Sequence, residues 1–135
     1  LTAGEIFSQL ANYNQQAYTL YYTFTTIDYF FPLFAGLFLA TLWAYILRST
    51  LPHWYEIALQ KNLLLLLLVP TLFDWLENIS LLTVIVAFPS ELRGVAEAAV
   101  IAKQIKLATT YLAQGSTLLI MLAGVAIKVK NRLNH

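Results

Sequence analysis

Asp74, Glu77 and Asn78 stand inside LLLLLLVPTLFDWLENISLLTVIVAF, residues 63–88, where almost every other side chain is apolar. Carboxylates three residues apart share one helix face, near enough to divide acid and base roles or, with Asn78, to hold a hard cation such as Mg²⁺. The same groups can act as hydrogen-bonding glue between helices in a neutral, protonated form. Either way they face inward, because an ionised side chain at the middle of a bilayer costs roughly 2.5–3.5 kcal/mol on insertion scales.

The elements that must carry these groups follow from composition. Of 135 residues 59% are apolar, 14% aromatic and only 11% charged, and the mean hydropathy is +0.67. These values belong to an integral membrane protein and not to a water-soluble domain. With no cysteine, disulfides, thiolate chemistry and cysteine-ligated metals are excluded, and a net charge of +1 provides no basic field for nucleic acid. No linker or low-complexity tract divides the chain, so residues 1–135 read as a single membrane domain.

A spanning helix needs about 20 predominantly apolar residues, and three segments qualify: 28–47, 62–88 and 107–127. Before them, residues 1–26 carry Thr2 and Glu5 at capping-box spacing and Ile6, Leu10, Tyr13 and Ala17 at helical intervals. Asn12, Asn14, Gln15 and Gln16 make this stretch too polar to cross lipid, so it reads as an amphipathic interfacial helix. Arg48, Lys61, Lys128, Lys130 and Arg132 gather on one side. By the positive-inside rule the C-terminus is cytoplasmic and the amphipathic helix lies on the outer face of a bacterial-type inner membrane. Ser90 is expected to cap a helix that starts near Glu91 and overshoots the bilayer. Leu1 is not Met and no basic leader follows it, so an upstream piece is expected.

Turn counting from the cytoplasmic ends puts Asp74 level with Gln114 near mid-membrane, and Asp28 level with Lys106 near the outer boundary. Asp28, Asp74, Glu77, Asn78, Lys106, Thr110 and Gln114 then form one polar column, a structural cluster or a ligand site. Pro32, Gly36, Ala40 and Ala44 make a small-residue stripe for close packing. As glue, the acids are expected to bond Asn78, Gln114 and Thr110. Catalysis is disfavoured, since the chain lacks a glycine-rich phosphate loop and an arginine within the spans. His53, beside Trp54, reads as an interfacial anchor, and His135 as a mobile terminal residue. No His lies within a span, which removes the usual haem or chlorophyll ligand, and neither cofactor nor metal is expected. Trp43, Trp75 and the cluster Tyr29, Phe30, Phe31, Phe34 and Phe38 read as packing or lipid-facing residues.

Taken together, AYTLYYTFTTIDYFFPLFAGLFLA, LFDWLEN and KQIKLATTYLAQGS resemble a family of small bacterial integral membrane proteins for which no activity is known. Its pattern is a Tyr followed by Asp-x-x-x-Pro in one helix, Asp-x-x-Glu-Asn in the next and a Lys early in the last. The corresponding positions are Tyr21, Asp28, Pro32, Asp74, Glu77, Asn78 and Lys106. A Gly-x-x-Gly-Arg element that precedes the Tyr in the family is replaced here by Asn and Gln. The resemblance implies a further helix upstream and a four-helix bundle.

These readings lead to an all-α membrane bundle of three spans with an outer amphipathic helix. The expected role is that of a non-enzymatic accessory subunit among other membrane-protein chains or copies of itself. The alternative is a protein that binds or modifies a lipid or small ligand through Asp74 and Glu77.

Overall fold

A computed structural model describes residues 2–133; His135 lies outside the described residues. The chain is helical throughout, with no strand among the described residues: α1 (Ala3–Leu10), α2 (Gln15–Thr50), α3 (Pro52–Gln60), a 3-10 helix (Leu63–Leu68), α4 (Val69–Ala87) and α5 (Arg93–Leu133). Three helical segments, Gln15–Thr50, Leu63–Ala87 and Arg93–Leu133, are long and apolar enough to cross a membrane. The bundle turns apolar side chains outward, with Phe24, Phe31, Phe34, Phe38, Leu112 and Leu119 all more than half exposed. Such a surface is stable against lipid and costly in water.

Residues 1–26 do not form the single helix that their periodicity predicts. Thr2 caps α1 through the expected box: its hydroxyl accepts from the Glu5 amide at 3.3 Å, and its own amide donates to Glu5 Oε2 at 2.7 Å. The helix stops at Leu10, and Asn14 restarts the chain as the N-cap of α2, accepting from the Ala17 amide at 2.8 Å. Asn at this position competes with helix continuation by bonding its own backbone. From Gln15 the polar stretch runs without a break into the first spanning helix. The short α1 folds back, and its Ile6, Phe7 and Leu10 bury against Val84, Ile85 and Ala96 at the α4–α5 end.

The second span also departs from one uniform helix. The six leucines adopt 3-10 geometry because Pro70 has no amide to donate to Leu66 and its ring clashes there in an α-helix; Leu66 accepts instead from Val69. Asn62, in the left-handed region at φ 53°, makes the turn out of α3. The last helix begins at Arg93, two residues past the expected start, and the Ser90 amide donates to Ala87 O at 2.9 Å within the preceding turn.

α4 and α5 run antiparallel with a constant register. Asp74 meets Lys106 and Glu77 meets Lys103, while Val84 and Ala96 share one core cluster. α2 crosses both. Its Gly36 abuts Leu67, Leu68 and Thr71, and Gly124 of α5 abuts Ile46 and Thr50. The small-residue stripe therefore works mainly at Gly36, where an added Cβ would lie 2.8 Å from Leu68 Cδ2 and 3.1 Å from Leu67 O. Ala40 and Ala44 are half-buried.

Candidate functional site

The polar residues of α4 point into the bundle because they recur every three or four positions, and Thr71, Asp74, Glu77 and Asn78 are all buried. Asp74 Oδ1 accepts from Lys106 Nζ at 2.9 Å, and Asp74 Oδ2 accepts from Asn78 Nδ2 at 3.1 Å. The same Lys106 ammonium contacts Glu77 Oε2, while Glu77 Oε1 lies 3.8 Å from Lys103 Nζ. Two carboxylates thus meet two ammonium groups, and the local charges cancel. Each lysine lies one turn along α5 from the other, so the spacing that aligns two acids on α4 aligns two bases opposite them.

This network differs from the expected one in its partners. The acids bond lysines and Asn78, whereas Thr110 and Gln114 line a neighbouring cleft. It differs in level too: Asp74 meets Lys106, which lies eight residues, or about 12 Å, along α5 from Gln114. The turn count placed residue 62 opposite Leu47. In the structure α3 intervenes and Leu67 packs against Gly36, so the second span enters higher. Its six 3-10 residues add a further ~3 Å, at ~2.0 Å rise against 1.5 Å. Lys106 lies 22 positions before Lys128, about 33 Å along a straight helix, close to the thickness of a bilayer's hydrocarbon core.

α2 meets α4 around Pro32. Proline leaves the Asp28 carbonyl without its helical donor and loosens the turn around it. Trp75 Nε1 donates to the adjacent Tyr29 O at 2.8 Å, and Thr71 Oγ1 donates to Pro32 O at 2.9 Å. Lower down, Trp43 Nε1 donates to Thr117 Oγ1 at 2.8 Å. The sequence reading treats both tryptophans as packing residues; their pairing needs helix positions that periodicity does not supply. Lys103 lies three positions before Lys106 on the same α5 face, a spacing legible in the sequence, whereas its pairing with Glu77 is not.

Between α2, α4 and α5 a cleft of about 360 Å³ remains open. Asp28, Asp74 and Lys106 lie at one end, Thr110 and Gln114 follow along α5, and Phe31, Ala35, Leu39, Leu67, Pro70 and Leu107 give it apolar walls. The two hydrogen bonds around Pro32 hold Asp28 level with Asp74. Asp28 itself is exposed and makes no ion pair among the described residues. The cleft is therefore charged at the Asp28 end, and beyond it mostly apolar walls carry the neutral Thr71, Thr110 and Gln114 side chains. No group of three or more acidic, histidine or cysteine side chains that could hold a metal ion occurs among the described residues. Comparison with family models, curated proteins and solved structures returns no match.

Proposed function

We propose that this chain is a small membrane protein that binds an amphipathic, lipid-like ligand in the cleft between α2, α4 and α5. The observation that carries the reading is the lengthwise division of that cleft, with the charged Asp28, Asp74 and Lys106 at one end and uncharged, mostly apolar walls beyond. A polar head fits the charged end, and an acyl or other apolar chain fits along Ala35, Leu39 and Leu67. Catalysis by the Asp74 and Glu77 pair is disfavoured, because both carboxylates are engaged by Lys106 and neither is left to exchange protons with a substrate. The proposed setting is a bacterial inner membrane, with the basic cluster around Arg48, Lys61 and Lys128 cytoplasmic and the polar end of the cleft near the outer headgroup level.

A second reading, an accessory subunit of a larger membrane assembly, is favoured by α2. Only 11% of its most apolar stretch is buried, and Phe24, Phe30, Phe34 and Phe38 remain more than half exposed. Native mass spectrometry of protein released from its own membrane in mild detergent separates the two. Ligand binding predicts a defined lipid mass on the wild-type chain that is lost in Ala35→Trp, a variant that fills the cleft from an exposed position. Stoichiometric partner chains, with identical lipid retention in wild type and Ala35→Trp, would instead support the subunit reading and sink the cleft as a binding site.

A further inference from the structure

The proposed cleft is not neutral once its charges are counted. Asp74 and Glu77 contribute two negative charges, and Lys106 and Lys103 contribute two positive ones, all within one contacting cluster. Lys106, the one cation lining the cleft, is shared between both carboxylates and is only 22% exposed. Asp28, at the same end, adds a third carboxylate to which no lysine or arginine is paired among the described residues. The balance at the polar end is therefore one uncompensated negative charge. At the edge of a bilayer such a charge attracts a cation, more strongly where a bound lipid displaces water from the carboxylate. Beyond it the apolar walls alternate with the Thr110 hydroxyl and, level with Leu67, the Gln114 amide.

We infer that the ligand of this cleft is an ammonium-bearing amphiphile whose positively charged nitrogen pairs with Asp28. The inference rests on the reading of the cleft as a lipid-like ligand site and adds the sign of the headgroup. An anionic headgroup is disfavoured at this end, because it would approach Asp28 and Asp74 while competing with two carboxylates for Lys106. A neutral glycerolipid would leave Asp28 uncompensated. A primary ammonium, as in an ethanolamine phospholipid or a long-chain amine, donates up to three hydrogen bonds and neutralises the site at the same time.

The test uses the full chain in bilayer nanodiscs containing equal amounts of phosphatidylethanolamine, phosphatidylglycerol and diacylglycerol. Retained lipids are read by native mass spectrometry after release in mild detergent. Wild type is expected to retain the ethanolamine lipid over the other two by about tenfold, the ratio that one charge-assisted hydrogen bond supports. Asp28→Asn should bring that ratio close to one and Asp28→Glu should keep most of it. Asp28 is exposed, so all three proteins should show the same helical content and melting temperature. A second arm adds hexadecylamine, which carries the ammonium without a phosphate. Asp28-dependent retention of hexadecylamine in place of the phospholipid supports the assignment and makes a single-chain amine the source. Retention that ignores the headgroup, prefers phosphatidylglycerol, or is unchanged in Asp28→Asn overturns it while leaving a lipid site in place. Absence of any retained lipid overturns the site itself, and this inference with it.

Discussion

Along the α4–α5 seam the polar contacts join full charges, Asp74 and Glu77 to Lys106 and Lys103, whereas along the α2–α4 seam they run from neutral side chains to main-chain carbonyls. The first kind depends on particular side chains at one register and above all on Lys106, the cation that both buried acids share. The second uses main-chain carbonyls of Tyr29 and Pro32, so α2 contributes backbone to the joint and keeps its own side chains for other uses. Asp28, one turn before Pro32, lines the cleft with no ion pair among the described residues while its neighbours hold the helices together. The charged seam fixes the bundle, and the neutral seam leaves room for a ligand.

The comparison breaks most visibly at Lys106. Lys106→Met leaves two buried carboxylates without their shared cation, and destabilisation on the order of 3 kcal/mol is expected. Thermal unfolding in detergent measures it; a melting temperature equal to that of wild type would mean that the charged seam does not hold the bundle. Gly36→Ala probes the fit of α2 on the 3-10 segment. Its Cβ would stand 3.1 Å from a main-chain oxygen that cannot swing aside, so a loss of about 1–3 kcal/mol is expected in the same assay. An unchanged midpoint would show α2 to be loosely docked there. Trp75→Phe removes the bond to Tyr29 O and part of a half-buried ring; the bond should account for about 0.6 kcal/mol of the cost, typical of a hydrogen bond between membrane helices. If Trp75→Phe cost as much as Lys106→Met, the two seams would not differ in kind.

The smallest effect is local and lies outside the spans. Glu5 is held below its ordinary pKa, first by the hydrogen bond from the Thr2 amide and then by that with the Thr2 side chain. A carboxylate with a lowered folded-state pKa stabilises α1 fully above its unfolded value, and the contribution fades as pH falls through the lowered value. Thr2→Ala should speed hydrogen exchange at the Glu5 and Ile6 amides near neutral pH and lessen the acid dependence of that exchange, while the bond from the main-chain amide of residue 2 preserves part of it. Exchange that stays as slow as in wild type would mean that packing of Ile6, Phe7 and Leu10 alone holds α1.

The difference between the seams also explains what could be read beforehand. Length, apolar run and charge spacing are one-dimensional properties, so three spans, the capping box at Thr2 and the inward face of Asp74, Glu77 and Asn78 are legible. The division of residues 1–26 into two pieces was weakly signalled by Asn14, a residue equally at home in a polar helix surface. The shift of Asp74 away from Gln114 was not legible by turn counting, because that method assumes α geometry and a common starting level. The Pro70-driven 3-10 segment and the intervening α3 violate both assumptions.

By itself, then, the sequence determined that the chain forms apolar helices and that its few polar residues lie on particular faces, since hydropathy and a 3.6-residue period are local quantities. Which polar groups meet was decided only by the tertiary structure. Lys106 reaches both Asp74 and Glu77, Trp75 finds the carbonyl beside Pro32, and Asp28 is left alone at the mouth of a cleft, because helix crossing and relative height come from packing around Gly36 and Gly124. Small residues allow backbones to approach without specifying a partner, and only the assembled bundle selects the one height at which the charges cancel.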